Sequence, residues 1–488
     1  MIDSFKKIGQ QSVVYAITRV IAALSGLVLV PILTRHFSPS DYGVIDLILT
    51  VNSFLVIFLM LGLDSAAARY YYDAKDKAEQ KKYLTNALIF LAFILIIVTV
   101  VLTFFSGSIS SIIFGDARYQ EVLKINFLTM PFIVLFNYFL SVFVTRLQAG
   151  RYAILFLFNQ ALVLAMVLVF LIRSHYQFRS IYEAYLLAAV ISFVISSILV
   201  RRNLLFSFSK KYLHTLLTYG LPLLPAGVAL WFLDLSDRFF VVKYIGTFEL
   251  GIYALAAKIA LPVSLVVSAF VLPWIPFAFS ILKRKEAKAI YAKYFTYFLL
   301  AAGFCAILVA YFSKIIILIL SNANYLGATK VAGVLAWGMV AYGAFFILSL
   351  GAYVAKKTWY VSLSVLVAAT INISLNFYMV PKFGIMGAAI TTLLAYVVNT
   401  SLIYKISQKK YFIPLEIKRI MKVLVLGVGL TVAYWFLPLS NIQPILVSIL
   451  GPVIYLLLGW TLIVSTIERK TLIEFIRAKA SIVLRRLS

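Results

Sequence analysis

Positive charge alternates along this chain in step with its apolar segments, and that alternation constrains the fold more than any other feature. About fourteen apolar stretches run through 488 residues, and the Lys and Arg clusters fall in every second gap between them. Lys6 and Lys7 open the series, followed by Arg69 with Lys75, Lys77, Lys81 and Lys82, and by Arg146 with Arg151. Arg201, Arg202, Lys210 and Lys211 come next, then Lys283 to Lys293, then Lys356 and Lys357. The series closes with Lys405 to Lys422 and Arg469 to Arg486. This set holds 32 of the 44 basic residues. Cytoplasmic loops carry the excess of Lys and Arg, so the pattern predicts an even number of spans with both termini cytoplasmic. The chain reads as a polytopic membrane protein. Two cations, Arg19 and Lys258, belong to neither set and fall inside predicted spans.

Composition agrees. With 63% hydrophobic and 12% charged residues and a mean hydropathy of +1.02, the chain is too apolar for a soluble globular class. The net charge of +27 does not point to nucleic acid, because it sits in short juxtamembrane loops facing anionic headgroups and not on one helix or arm. The single cysteine, Cys305, excludes a disulfide within the chain and makes a thiolate metal site implausible. Asn372-Ile-Ser374 and Asn399-Thr-Ser401 match a glycosylation pattern but lie within hydrophobic runs. The apolar run from about Gln11 to Thr34 is too long for a signal h-region and holds Arg19 and Pro31, so it is expected to stay as a span. The longest polar gap, Asp64 to Lys82, leaves no room for a globular catalytic unit.

Each span needs about twenty residues to cross the hydrocarbon, and a lipid-facing backbone must satisfy its own hydrogen bonds, so all spans are expected to be helices. Their predicted positions are 11–35, 43–63, 84–105, 122–146, 151–172, 180–200, 212–236, 248–272, 294–319, 329–355, 358–380, 384–404, 418–438 and 444–466. The chain also repeats itself. Asp41-Tyr42-Gly43 is matched by Glu249-Leu250-Gly251, Asp116-Ala117-Arg118-Tyr119 by Asn322-Ala323-Asn324-Tyr325, and Gly150-Arg151-Tyr152 by Lys357-Thr358-Trp359. Six spans therefore repeat as six in the same orientation. The expected architecture is an all-α integral membrane protein of about fourteen helices. Two six-helix lobes, 1–205 and 206–410, form a parallel pseudo-two-fold repeat around a central cavity, and 411–488 adds two helices and a basic cytoplasmic tail.

At these residues the chain resembles the polysaccharide flippases (Wzx-like) of the multidrug/oligosaccharidyl-lipid/polysaccharide exporter superfamily. The carrying segments are Leu33-Thr34-Arg35-His36-Phe37-Ser38-Pro39-Ser40-Asp41-Tyr42-Gly43 and Tyr219-Gly220-Leu221-Pro222-Leu223-Leu224-Pro225. Asp237-Arg238-Phe239-Phe240 and Gly251-Ile252-Tyr253-Ala254-Leu255-Ala256-Ala257-Lys258 complete the match. The resemblance implies a carrier that turns a polyprenyl-diphosphate-linked oligosaccharide from the cytoplasmic to the outer leaflet of a bacterial or archaeal cytoplasmic membrane. It places sugar and diphosphate in the central cavity and the lipid tail in the bilayer.

A cation at the bilayer centre costs about 2.5–3.5 kcal/mol on insertion scales, so Arg19 and Lys258 should each face a partner or a wet cavity. Toward a diphosphate, Arg19 would act as a planar fork and Lys258 as a point charge. The alternative for both is an ion pair with Asp46, Asp234 or Glu183. Asp234 and Arg238, spaced i,i+4, read as an intrahelical ion pair or as a gate pair that breaks during transport. Asp46, early in its span, is either a solvated carboxylate or a proton or ion site. Arg146 and Arg151 flank a cytoplasmic hinge and are expected either to anchor it to headgroups or to meet an incoming phosphate. Pro222 and Pro225 interrupt the seventh span and supply a bend. Asn52, Asn159, Gln160, Asn372 and Asn376 either line the cavity or hold helices together.

Two relatives within the superfamily remain as rival functions, a multidrug or cation antiporter and a lipid II flippase. A cationic drug needs buried carboxylates, whereas the mid-membrane charges read here as mainly basic. An enzyme is disfavoured, because the three histidines, His36, His175 and His214, are scattered and no large outer loop is present. No cofactor or metal is expected. The expected partners are the lipid-linked glycan, the bilayer and, at the cytoplasmic loops, a polysaccharide polymerase or glycosyltransferases, with a monomer as the working unit.

Overall fold

The computed structural model describes the backbone of residues 2–205, 207–436, 444–470 and 474, and their side chains except at 2–13, 16, 19, 23 and 444. Among the described residues every regular element is a helix. The first six are α1 (Ile2–His36), α2 (Pro39–Met60), α3 (Leu63–Asp73), α4 (Lys77–Phe104), α5 (Ser106–Phe114) and α6 (Gln120–Thr145). Next come α7 (Ala149–Arg173), α8 (Phe178–Val200), α9 (Lys210–Gly220), α10 (Leu224–Leu235), α11 (Asp237–Tyr244) and α12 (Thr247–Ile281). The last six are α13 (Ala287–Leu320), α14 (Ala328–Leu348), α15 (Leu350–Val354), α16 (Trp359–Lys410), α17 (Ile417–Phe436) and α18 (Pro444–Leu458).

Among the described residues, twelve helical segments are long and apolar enough to cross a membrane. One of them, the 52-residue α16, breaks at Gly384 and supplies two spans. Its φ of 61° and ψ of −145° suit only a residue without Cβ, and Pro381 stands one turn earlier. With the shorter apolar stretch Val20–His36 of α1, every one of the fourteen expected spans has a helical counterpart. The seventh differs in detail. A single helix over 212–236 was expected, but Gly220 ends α9, a 3₁₀ turn runs Leu221–Leu223, and α10 restarts at Leu224. Pro222 and Pro225 sit at this break, where their missing donors belong to a helix end and not to a helix interior.

Local geometry repeats where the sequence does. The Asp116 side chain accepts from Arg118 N at 2.9 Å and the Asn322 side chain accepts from Asn324 N at 3.0 Å, each capping a 3₁₀ turn. Leu147 and Lys356 both take left-handed backbone, with φ of 53° and 55°. Each is followed by a 2.9 Å bond that closes the preceding helix, Gln148 N to Phe143 O and Lys357 N to Ala352 O. Tyr176 and Gly384 share φ near 60°, at 62° and 61°.

The chain divides into two compact units: Met1–Lys258 with Leu318–Gly327 and Val361–Ala395, and Ile259–Ile317 with Ala328–Tyr360 and Tyr396–Ser488. In the first, α6 is the central helix, with 61% of its apolar stretch buried, against 17% for the peripheral α4 and α7. Its core gathers Leu59, Leu63, Leu84, Leu91, Tyr138 and Phe143. In the second, α14 takes the central place with 78% buried, and it is the span that corresponds to α6 in the repeat. Small residues allow this, since a Cβ at Gly343 would strike Phe298 and Val267. Within the first unit the repeat-equivalent glycines Gly43 and Gly251 meet. A Cβ on Gly43 would collide with Thr247 O, and one on Gly251 with Pro39 O, so the two turns touch backbone to backbone. In the second unit the chain after the last span is fastened by Arg419, which donates to Ile463 O and Glu416 at 2.7 Å each and to Glu468. Burial raises the Glu468 carboxyl pKa, but the hydrogen bonds from Arg419 and Ser465 outweigh it and hold it well below the usual carboxylate range. The tail residues Arg477, Lys479, Arg485 and Arg486 lie outside the described residues.

Candidate functional site

Three charged side chains meet inside the first unit. Ser236 joins α10 to α11, and Asp237 and Arg238 just after it are both buried. Arg238 Nε donates to Asp46 Oδ2 of α2 at 2.8 Å, and its Nη1 lies 3.2 Å from Asp237 Oδ1. The other Asp237 oxygen accepts from the Tyr253 hydroxyl of α12 and from Thr392 Oγ1 of α16 at 3.2 Å. The Tyr253 ring lies 5.8 Å from the guanidinium. Beside these, Asn372 Oδ1 accepts from Ser236 Oγ at 3.2 Å and from Asn376 Nδ2 at 2.9 Å. Asn372 Nδ2, Asn376 Oδ1 and Thr391 Oγ1 are buried with no hydrogen-bond partner among the described residues. Two carboxylates face one guanidinium, so the cluster carries one formal negative charge in excess.

This geometry corrects two expectations. Arg238 has its carboxylate partners at Asp46, across helices, and at the adjacent Asp237, and not four residues back at Asp234. Ser236 between them keeps helical backbone, with φ of −68° and ψ of −25°, so the spacing survives and the partner is decided instead by the approach of Asp46 on α2. Asp46 is not a solvated carboxylate: the residue is 7% exposed. Two of the partners considered for Lys258 are thereby engaged elsewhere, Asp46 with Arg238 and Glu183 with Arg179 at 2.8 Å. Lys258 itself is half-buried on α12 and has no carboxylate partner among the described residues. Arg19 lies on α1, with its side chain outside the described residues.

The four candidate asparagines separate. Asn372 and Asn376 belong to the charged cluster, whereas Asn52 and Asn159 line a cavity of about 240 Å³ among α2, α6, α7 and α8. There Asn52 and Asn126 exchange two amide hydrogen bonds, each 2.8 Å. The sequence reading missed Asn126, Asn137 and Tyr185 in this cavity and Tyr253 and Thr392 in the cluster. A signal existed for the amides: polar residues inside apolar helices seek each other, and each of these lies within a predicted span.

A family model described as polysaccharide biosynthesis protein matches residues 8–282, more than half of the chain. The chain belongs to the polysaccharide biosynthesis protein family. Among curated relatives, it is 26% identical over 396 residues to an uncharacterized membrane protein of Methanocaldococcus jannaschii, covering 73% of this chain and 75% of that one. It is also 26% identical over 292 residues to the Lsg locus putative protein 1 of Haemophilus influenzae, covering 57% and 68% respectively. Two solved structures share the fold of this family member. The lipid II flippase MurJ, in an inward closed conformation, superposes with a TM-score of 0.73 at 16% identity over 91% of this chain and 98% of that one. An inward-facing multidrug resistance MATE transporter gives 0.63 at 14% identity over 84% and 98%. The chain is thus a multi-pass membrane protein with a transporter fold.

Proposed function

We propose that this protein turns a polyprenyl-diphosphate-linked oligosaccharide from the cytoplasmic to the outer leaflet by alternating access, breaking no covalent bond in its substrate. The observation that carries the reading is Lys258, a cation on a membrane helix that no described carboxylate neutralises, in a chain of the polysaccharide biosynthesis family. An unpaired cation at that depth is stabilised by an anionic guest, and a diphosphate supplies one. Arg19 joins it from α1. The repeats 1–205 and 206–410 rock about the bend at Pro222 and Pro225, and the glycan occupies polar space that Asn52 and Asn159 help to line. Asp46 and Arg238, with Asp234 one turn away, act as gate and coupling element: the surplus negative charge of the cluster takes up a proton or a monovalent cation when the pair opens. Both termini then face the cytoplasm, the membrane is a prokaryotic cytoplasmic membrane, and the working unit is a monomer that polymerases or glycosyltransferases meet at the basic loops.

One observation favours a second reading. The buried carboxylates Asp46 and Asp237 are what a cation antiporter needs. Leaflet assignment of the lipid-linked oligosaccharide separates the two, in cells lacking the protein and in cells complemented with wild type, Arg19→Ala or Lys258→Ala. Accumulation of the intermediate on the cytoplasmic side without the protein, uncorrected by either variant at normal membrane level, supports the flippase and both cations. Normal delivery to the outer leaflet without the protein moves the antiporter to first place.

A further inference from the structure

The cavity among α2, α6, α7 and α8 is chemically unlike the charged cluster, and its lining specifies a ligand. Among the described residues none of its lining side chains carries a charge. Asn137 of α6 uses its amide nitrogen on Ile133 O at 2.8 Å, which leaves its carbonyl oxygen with no partner among the described residues. Asn159 of α7 accepts from Ser192 Oγ at 2.8 Å through its carbonyl oxygen, which leaves its NH₂ group in the same position. The Tyr185 hydroxyl of α8 has no hydrogen-bond partner among the described residues either. Three helices thus offer an acceptor, a donor pair and a hydroxyl that does both. Phe136 and Phe156 add aromatic surface to the same walls.

We propose that this cavity binds a single uncharged sugar ring. A phosphate would find no cation there, and a metal ion would find no carboxylate. A hydrocarbon chain would leave the amides without hydrogen-bond partners. A sugar ring presents hydroxyls that donate and accept, together with a C–H face that lies well against an aromatic ring. Size agrees: about 240 Å³ falls just under the range of drug-sized sites. That is room for one ring. The source of the ring rests on the flippase reading, in which it is one unit of the translocated glycan.

The test uses the purified full-length protein in nanodiscs and the neutral monosaccharides released by hydrolysis of the host's own surface glycan. Binding is read by saturation-transfer NMR, with glucuronate as a charged control. The expected result is binding of at least one neutral sugar and not of glucuronate, weakened about tenfold by Tyr185→Phe, which deletes one hydroxyl and keeps the shape, and by Asn159→Leu. Absence of binding by any released sugar, or binding that Tyr185→Phe and Asn159→Leu both leave intact, overturns the proposal even where the wild type flips its substrate. Sugar binding that both variants weaken, with leaflet distribution independent of the protein, keeps the site and defeats the flippase reading instead.

Discussion

Asp46 and Asn52 stand six residues apart on α2, about 9 Å along its axis, yet they serve two opposite ways of keeping polar groups in an apolar medium. Asp46 enters a tight ionic cluster in which Arg238, Asp237, Tyr253 and Thr392 saturate one another at hydrogen-bond distance. Asn52 enters an open cavity in which neutral amides pair in part and keep capacity for a guest. The difference follows from charge. An ion stripped of water must meet its counter-ion or cost several kcal/mol, whereas an amide tolerates a water or a hydroxyl in place of a protein partner. The first arrangement stores a state, and the second receives a ligand.

The largest expected effect breaks the ionic side. Arg238→Met leaves two carboxylates buried together and should destabilise the protein by about 3–5 kcal/mol, read as a fall in the thermal midpoint of detergent-solubilised protein. Asp46→Asn should cost clearly less, because it leaves Asp237 and Arg238 as a neutral pair. Equal losses for the two variants would show that the surplus negative charge is neutralised in some other way. Tyr253→Phe removes a hydrogen bond to a buried carboxylate, and a loss of about 1.5–3 kcal/mol is expected.

A third polar region lies between the extremes. The pKa of the Glu468 carboxyl is depressed in the folded protein, so its contribution is present above the ordinary carboxylate value of 4.5 and is lost as pH falls below it. Stability measured from pH 7 to pH 3 should decline in that window, and Glu468→Gln should flatten the decline. A variant with an unchanged acid limb would remove Glu468 from the account. The smallest effect belongs to the neutral cavity. Breaking the amide pair with Asn52→Leu should cost about 0.6 kcal/mol, and a double-mutant cycle with Asn126→Leu isolates the coupling. A loss comparable to that of Arg238→Met would erase the contrast between the two regions.

Legibility differed between fold and site for the same reason. A span is a local property, written in about twenty consecutive apolar residues and in the charge of the adjoining loops, so the spans could be placed from the sequence. The repeat was legible as well, because Asp116 and Asn322 cap their turns through their own neighbours. The i,i+4 spacing of Asp234 and Arg238 misled, since spacing along one helix does not show that Asp46 of α2 packs against Arg238. Nothing near Asn52 in sequence announces Asn126, 74 residues away.

Sequence alone determined that this chain crosses the membrane many times as helices, that short motifs recur along it, and that Lys258 lies on a membrane helix, because hydropathy and loop charge act over short stretches of chain. Only the tertiary structure decided that Asp46 pairs with Arg238 across 192 residues and that Asn52 and Asn159 share a cavity without Asn372 and Asn376. Those outcomes depend on which helix faces meet, and desolvation rewards a polar side chain only for the partner that packing brings within about 3 Å.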